Sequence, residues 1–155
     1  MKEYSDPRMH TAEHILNQTM VRMFGCGRCF SSHVEKKKSK CDYRFPRNLT
    51  ESETREIERR VNAVIAQDLP VTEETTTREA AESLFDLSRL PETTSMGAAG
   101  ADVPGASVRI VRIGDYDACP CIGAHVASSS AVGTFSISST SFSDGVLRIR
   151  FRLHP

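Results

Sequence analysis

The segment VLRIRFRL near the end of the chain alternates without a break: Leu147, Ile149, Phe151 and Leu153 fall on one side, Arg148, Arg150 and Arg152 on the other. A period of two marks a strand with one dry face and one wet face. The apolar side must therefore be covered by other elements. An Asp144-Gly145 pair joins this strand to the preceding TFSISSTSF, which predicts a hairpin.

What covers the sheet is read from the first half of the chain. Asp6 followed by Pro7 is a helix start, and Met9, Ala12, Leu16, Met20 and Met23 recur at helical spacing up to Gly25, so a helix is expected over about 7 to 24. Thr50 and Glu53 form a capping box for a second helix carrying Ile57, Val61, Val64 and Ile65 and ending before Pro70. A third, shorter helix fits 78 to 85. Residues 30 to 45 read as two short strands around a lysine-rich turn, VTEETTT as an edge strand, and SVRIVRI as a further strand. The stretch 91 to 106, rich in Gly, Ala and Pro, reads as a loop. Together these elements predict an α+β fold, with helices packed on a largely antiparallel sheet.

With 155 residues, 39% hydrophobic and 26% charged, the chain fits one domain over 1–155 with a core of its own. No apolar run is long enough to cross a bilayer, and the first residues lack the apolar stretch of a secretory signal, so a cytoplasmic protein is expected. Five cysteines without an export signal point to thiols or metal ligands rather than disulfides. A formal net charge of zero means that any nucleic-acid contact must come from local patches.

HTAEH puts His10 and His14 one helical turn apart on one face, and CIGAH repeats that separation with Cys121 and His125 on a glycine-containing segment after a strand. One thiolate and three imidazoles make a tetrahedral set suited to zinc. Solvated histidines beside a buried free cysteine would show the same spacing. A rival zinc set consists of Cys26, Cys29, Cys119 and Cys121, which leaves the histidines idle.

HTAEHILNQTM followed about a hundred residues later by CIGAHV, with EIERRVNAVIAQDLPVTEETTTREAAESLF between them, resembles the editing domain of alanyl- and threonyl-tRNA synthetases. The chain is most similar to the short form of the free-standing AlaX-type alanyl-tRNA editing proteins, over essentially its whole length. That resemblance implies the synthetase editing-domain fold, Zn2+ held by His10, His14, Cys121 and His125, and hydrolysis of an aminoacyl ester on tRNA. The implied enzyme is an aminoacyl-tRNA deacylase acting in trans on seryl- or glycyl-tRNA of the alanine type, in the service of translation fidelity. A pocket built for alanine discriminates poorly against such competitors, so a second sieve is needed. The zinc then either activates water or positions the substrate.

Ser31 stands where the family has a threonine that contacts the substrate, and His33 beside it is a candidate general base or RNA contact. Ala124 replaces the threonine of the synthetases' CGGTH, and Cys119 has no counterpart in the family pattern. Lys36, Lys37, Lys38 and Lys40, with Arg148, Arg150 and Arg152, are candidate contacts to the phosphates of a tRNA acceptor end. The alternatives are a zinc module that binds tRNA or a synthetase without catalysis, and editing of another charged tRNA such as the threonine type.

Overall fold

The computed structural model describes residues 6–35, 37–77, 79–81, 107–121 and 123–154. Helix α1 (Pro7–Phe24) begins where Asp6 Oδ1 accepts from Arg8 N at 3.0 Å, and Pro7 has no N–H to leave open. It stops at Gly25, whose φ of 67° lets Gly25 N donate back to Val21 O. Strands β1 (Ser31–Val34) and β2 (Ser39–Arg44) flank the lysine turn. Helix α2 (Glu51–Ala66) opens with the expected capping box: Glu53 N donates to Thr50 Oγ1 and Thr50 N to Glu53 Oε1.

Then follow β3 (Val71–Thr77), β4 (Ser107–Ile113), β5 (Asp117–Pro120), a short 3₁₀ turn at Ser129–Val132, β6 (Thr134–Ser143) and β7 (Val146–His154). Residues 79–81 are helical; the rest of the helix expected at 78–85 and the loop expected at 91–106 lie outside the described residues. Asp144 and Gly145 both have positive φ, the turn geometry that matches the twist of a tight hairpin.

The fold is α+β, and the described strands divide into two antiparallel sheets, β1-β2-β7-β6 and β3-β4-β5. In the first, Cys41, Tyr43, Phe135, Leu147, Ile149 and Phe151 are buried in one cluster with Ile15, Leu16 and Met20 of α1 and Ile57 and Val61 of α2. Full burial of each such side chain is worth roughly 1.5–3 kcal/mol, so this cluster is the main cohesive element. The arginines alternating with Leu147, Ile149 and Phe151 lie on the other face, as the period of two requires.

Helix α1 departs from simple amphipathicity, because Thr11, Glu13, His14, Asn17 and Thr19 are buried as well. Its polar side docks on the β4–β5 turn: Gln18 Nε2 donates to Asp117 Oδ1 (2.8 Å), Arg22 Nη2 donates to Tyr116 O (2.8 Å), and Thr19 Oγ1 lies 2.6 Å from Tyr116 Oη. Buried polar groups need such partners. The short strand β5, which is not among the strands expected from the sequence, is thereby brought against α1. No helix among the described residues is long and apolar enough to cross a membrane.

Candidate metal centre

His10 and His14 project from the polar side of α1 toward the loop that follows β5. Cys121 begins that loop, with its N–H still bonded to Arg109 O of β4 at 3.2 Å, and His125 follows one turn later. The ligand atoms of His10, His14, Cys121 and His125 all lie within 4.8 Å of one another. Cys121 Sγ is 3.7 Å from His10 Nε2 and 3.4 Å from His125 Nε2. The three imidazoles crowd together, the His10 and His125 rings stacked with centroids 4.8 Å apart.

Three imidazoles around one sulfur change its chemistry. Burial opposes ionisation of the Cys121 thiol, but contacts with His10, His125 and His14 outweigh it and bring the group down to about 2, so the sulfur is held as a thiolate. Burial likewise disfavours a charged His14, yet Asp117 and the Cys121 thiolate raise its imidazole to about 9. For His125 burial prevails and the imidazole is pushed down. A buried thiolate with clustered imidazoles is a donor set that a divalent soft-to-borderline cation completes.

Two further features fit zinc. His10 Nδ1 and His14 Nδ1 are buried without a hydrogen-bond partner among the described residues. The His10 ring also rests on the backbone of Gly123: a Cβ there would come within 1.7 Å of His10 Cε1 and 2.0 Å of Nδ1. Only glycine admits that approach. Arg109 pins the same loop by donating from Nε to Cys121 O (3.0 Å) and from Nη2 to Gly123 O.

Around the four candidate ligands stands a layer that sequence reasoning missed. Thr11 Oγ1 lies 2.9 Å from His125 Nδ1 and accepts from Val126 N at 3.3 Å, which turns Nε2 of His125 toward Cys121. Asp117, buried, lies 3.5 Å from His14 Nδ1 off hydrogen-bond geometry and receives Arg28 Nη1 and Nη2 at 2.7 and 3.2 Å. Burial raises its carboxyl, but His14 and Arg28 hold it well below the usual carboxylate range. Glu13 Oε1 lies 3.7 Å from His10 Nε2. Thr11 and Glu13 stand inside HTAEH, and Arg28 and Asp117 elsewhere in the chain, but nothing local tells which polar side chains meet.

The rival thiolate set is not assembled. Cys29 lies in the core with Glu13 and Cys41, and Cys26 is in neither ligand-like cluster among the described residues. Burial pushes the Cys119 thiol up to about 12. Ser31 and His33 are not brought into the histidine cluster; both are on exposed positions of β1, where His33 Nε2 pairs with Glu35 Oε2. Of the proposed basic contacts, Arg148 is engaged by Asp42 through Nε and Nη2 at 2.7 and 2.9 Å, and Lys36 lies outside the described residues. Lys37 and Lys38 are exposed, with Lys40 and Arg150 half-buried.

Comparison with known proteins agrees with this architecture. Residues 108–150 match the family described as the threonyl and alanyl tRNA synthetase second additional domain. The alanine–tRNA ligase of Halorubrum lacusprofundi is 31% identical over 152 residues, covering 92% of this chain and 15% of the ligase. That of Treponema denticola is 34% identical over 149 residues, covering 91% and 22%, and that of Pyrococcus abyssi is 34% identical over 152 residues, covering 93% and 15%. The chain thus spans between 15% and 22% of the length of these relatives. Residues 108–150 thus carry the likeness to the synthetases' second additional domain, and most of the chain is similar to one region of alanine–tRNA ligases. That likeness is consistent with an AlaX-like domain.

Proposed function

We propose that this chain is an aminoacyl-tRNA deacylase that hydrolyses, in trans and in the cytoplasm, the ester of seryl- or glycyl-tRNA of the alanine type, using one zinc ion held by His10, His14, Cys121 and His125. The observation that supports this reading is the convergence of those four side chains, whose ligand atoms all lie within 4.8 Å of one another. The kinship with a region of alanine–tRNA ligases supplies the substrate class.

Zinc bound there supplies a Lewis acid and an anchoring point for the amino acid being removed. The chain's own groups prepare the position. Cys121 offers its charge, Thr11 fixes the ring of His125, and Asp117 with Arg28 steadies His14. Burial of His14 and Cys121 keeps bulk water from competing at the donor atoms. Ser31, on the exposed side of β1, is assigned to contact with the substrate and His33 to general-base action or contact with the RNA, and Lys37, Lys38, Lys40 and Arg150 to the phosphates of the acceptor end.

The test combines metal analysis with a panel of charged tRNAs. The purified protein should carry about one zinc per chain by the donor-set rule for structural and catalytic sites. It should release serine or glycine from alanine-type tRNA faster than from mischarged threonine-type tRNA, and leave correctly charged alanyl-tRNA intact. Zinc retention without release from any of these tRNAs would replace this reading with the non-catalytic module.

A further inference from the structure

The outer face of the four-stranded sheet carries rows of side chains set by strand register. One row runs Ser31, Asp42, Arg148, Ser141, and its charge is internally settled: Asp42 grips Arg148 in a bidentate pair, and its carboxyl is held low chiefly by that hydrogen bond. The neighbouring row runs His33, Lys40, Arg150, Ser139. Here Lys40 lies directly opposite Arg150, two cations across one strand pair, an arrangement that costs stability unless an anion sits between them.

The row also lines a hollow. His33, Glu35, Lys38, Lys40, Ser138 and Arg150 surround a cleft of about 240 Å³ on the sheet face, with Ser39 lining it as well. Three permanent cations stand there against one carboxylate, and that carboxylate, Glu35, is paired with His33. Among the described residues, Arg150 Nη1 donates a long 3.4 Å bond to Ser139 Oγ. The Asp42 carboxylate also feels Lys40 and Arg150, but both of its oxygens are taken by Arg148. A planar guanidinium beside a point-like ammonium suits the non-bridging oxygens of a phosphate.

The cleft lies close in the fold to helix α1, which carries two of the candidate ligands. Ser39 Oγ lies 3.3 Å from Met9 Sδ, and Met9 immediately precedes His10.

We propose that this cleft is a phosphodiester-binding site for the RNA of the aminoacyl-tRNA substrate, with Lys40 and Arg150 on one phosphate and Lys38 at its rim. The inference rests on the deacylase reading for the identity of the RNA. It differs from a diffuse basic surface in naming one uncompensated pair and in leaving Arg148, already engaged, outside the site.

Binding is measured with an uncharged alanine-type tRNA transcript, so that no hydrolysis is involved, across a series of salt concentrations. Lys40→Ala with Arg150→Ala should weaken binding and reduce the slope of log affinity against log salt by about 1, as expected for the loss of one neutralised phosphate. Arg148→Ala should leave the slope nearly unchanged. The double variant should retain its zinc and melt no lower than the wild type, because a like-charge pair has been removed. An unchanged slope in the double variant, or an equal loss in Arg148→Ala, overturns the site even if deacylation is found. A reduced slope with no deacylation keeps the site and removes the catalytic reading instead.

Discussion

Arg28 binds Asp117 with two guanidinium nitrogens, at 2.7 and 3.2 Å, and thereby anchors the carboxylate that lies 3.5 Å from His14. The pair joins the segment that follows α1, the helix of His10 and His14, to the start of β5, the strand that leads into Cys121 and His125. Its carboxylate is fully enclosed, while the Arg28 side chain keeps 28% exposure.

Asp117→Asn preserves shape and removes the charge. It leaves Arg28 without its counterion, and the metal-free protein should lose about 2–3 kcal/mol, toward the lower end for a broken buried pair because Arg28 retains some water. Adding Arg28→Met should recover part of the loss, a coupling that separate contributions would not produce. Urea denaturation of the wild type, both single variants and the double variant reads this directly; strictly additive losses would contradict the pairing.

Gly123→Ala places a methyl group where the His10 ring already stands, 1.7 Å from Cε1. The ring must swing away from Cys121, while the main core cluster, which includes neither Gly123 nor His10, is left in place. Zinc affinity should fall on the order of 10–100-fold, the range seen when ligand orientation is lost, with the helical circular dichroism unchanged. Competition with a chromophoric chelator measures it, and wild-type affinity in the variant would show that His10 is not seated on Gly123.

Glu53 accepts from both Arg47 guanidinium nitrogens at 2.8 Å and from Thr50 N at 2.9 Å. Arg47 first, then the Thr50 N–H, pulls its carboxyl down to about 2. A depressed carboxyl contributes stability that is complete above its unfolded value of about 4.3 and disappears as pH falls through the folded value. The stability gap between wild type and Glu53→Gln should therefore be constant from neutral pH to about 5 and close toward about 2. Thr50→Ala should cost about 1 kcal/mol at neutral pH, the usual worth of such a cap. A gap that widens on acidification would be inconsistent with this cap.

Local chemistry is self-contained wherever the partner is a near neighbour in sequence. Asp6 and Pro7 start α1, Thr50 and Glu53 start α2, Asp144 and Gly145 turn the last hairpin, and the period of two in β7 separates Ile149 from Arg150. Each of these depends on backbone geometry within a few residues, so each was readable from the chain alone. The two spaced pairs of candidate ligands were readable for the same reason.

Their convergence was a matter of tertiary structure, since His10 and Cys121 stand 111 positions apart and only the docking of α1 on β5 brings them together. So too with Arg28 and Asp117, or Lys40 and Arg150, whose meaning lies in register and burial rather than in spacing. The sequence by itself determined most of the described elements, the wet and dry faces and the two spaced pairs of candidate donors. Only the folded chain decided which charges are compensated: Arg148 finds Asp42 across the sheet, while Lys40 meets another cation, because a one-to-one strand pairing assigns each side chain its opposite.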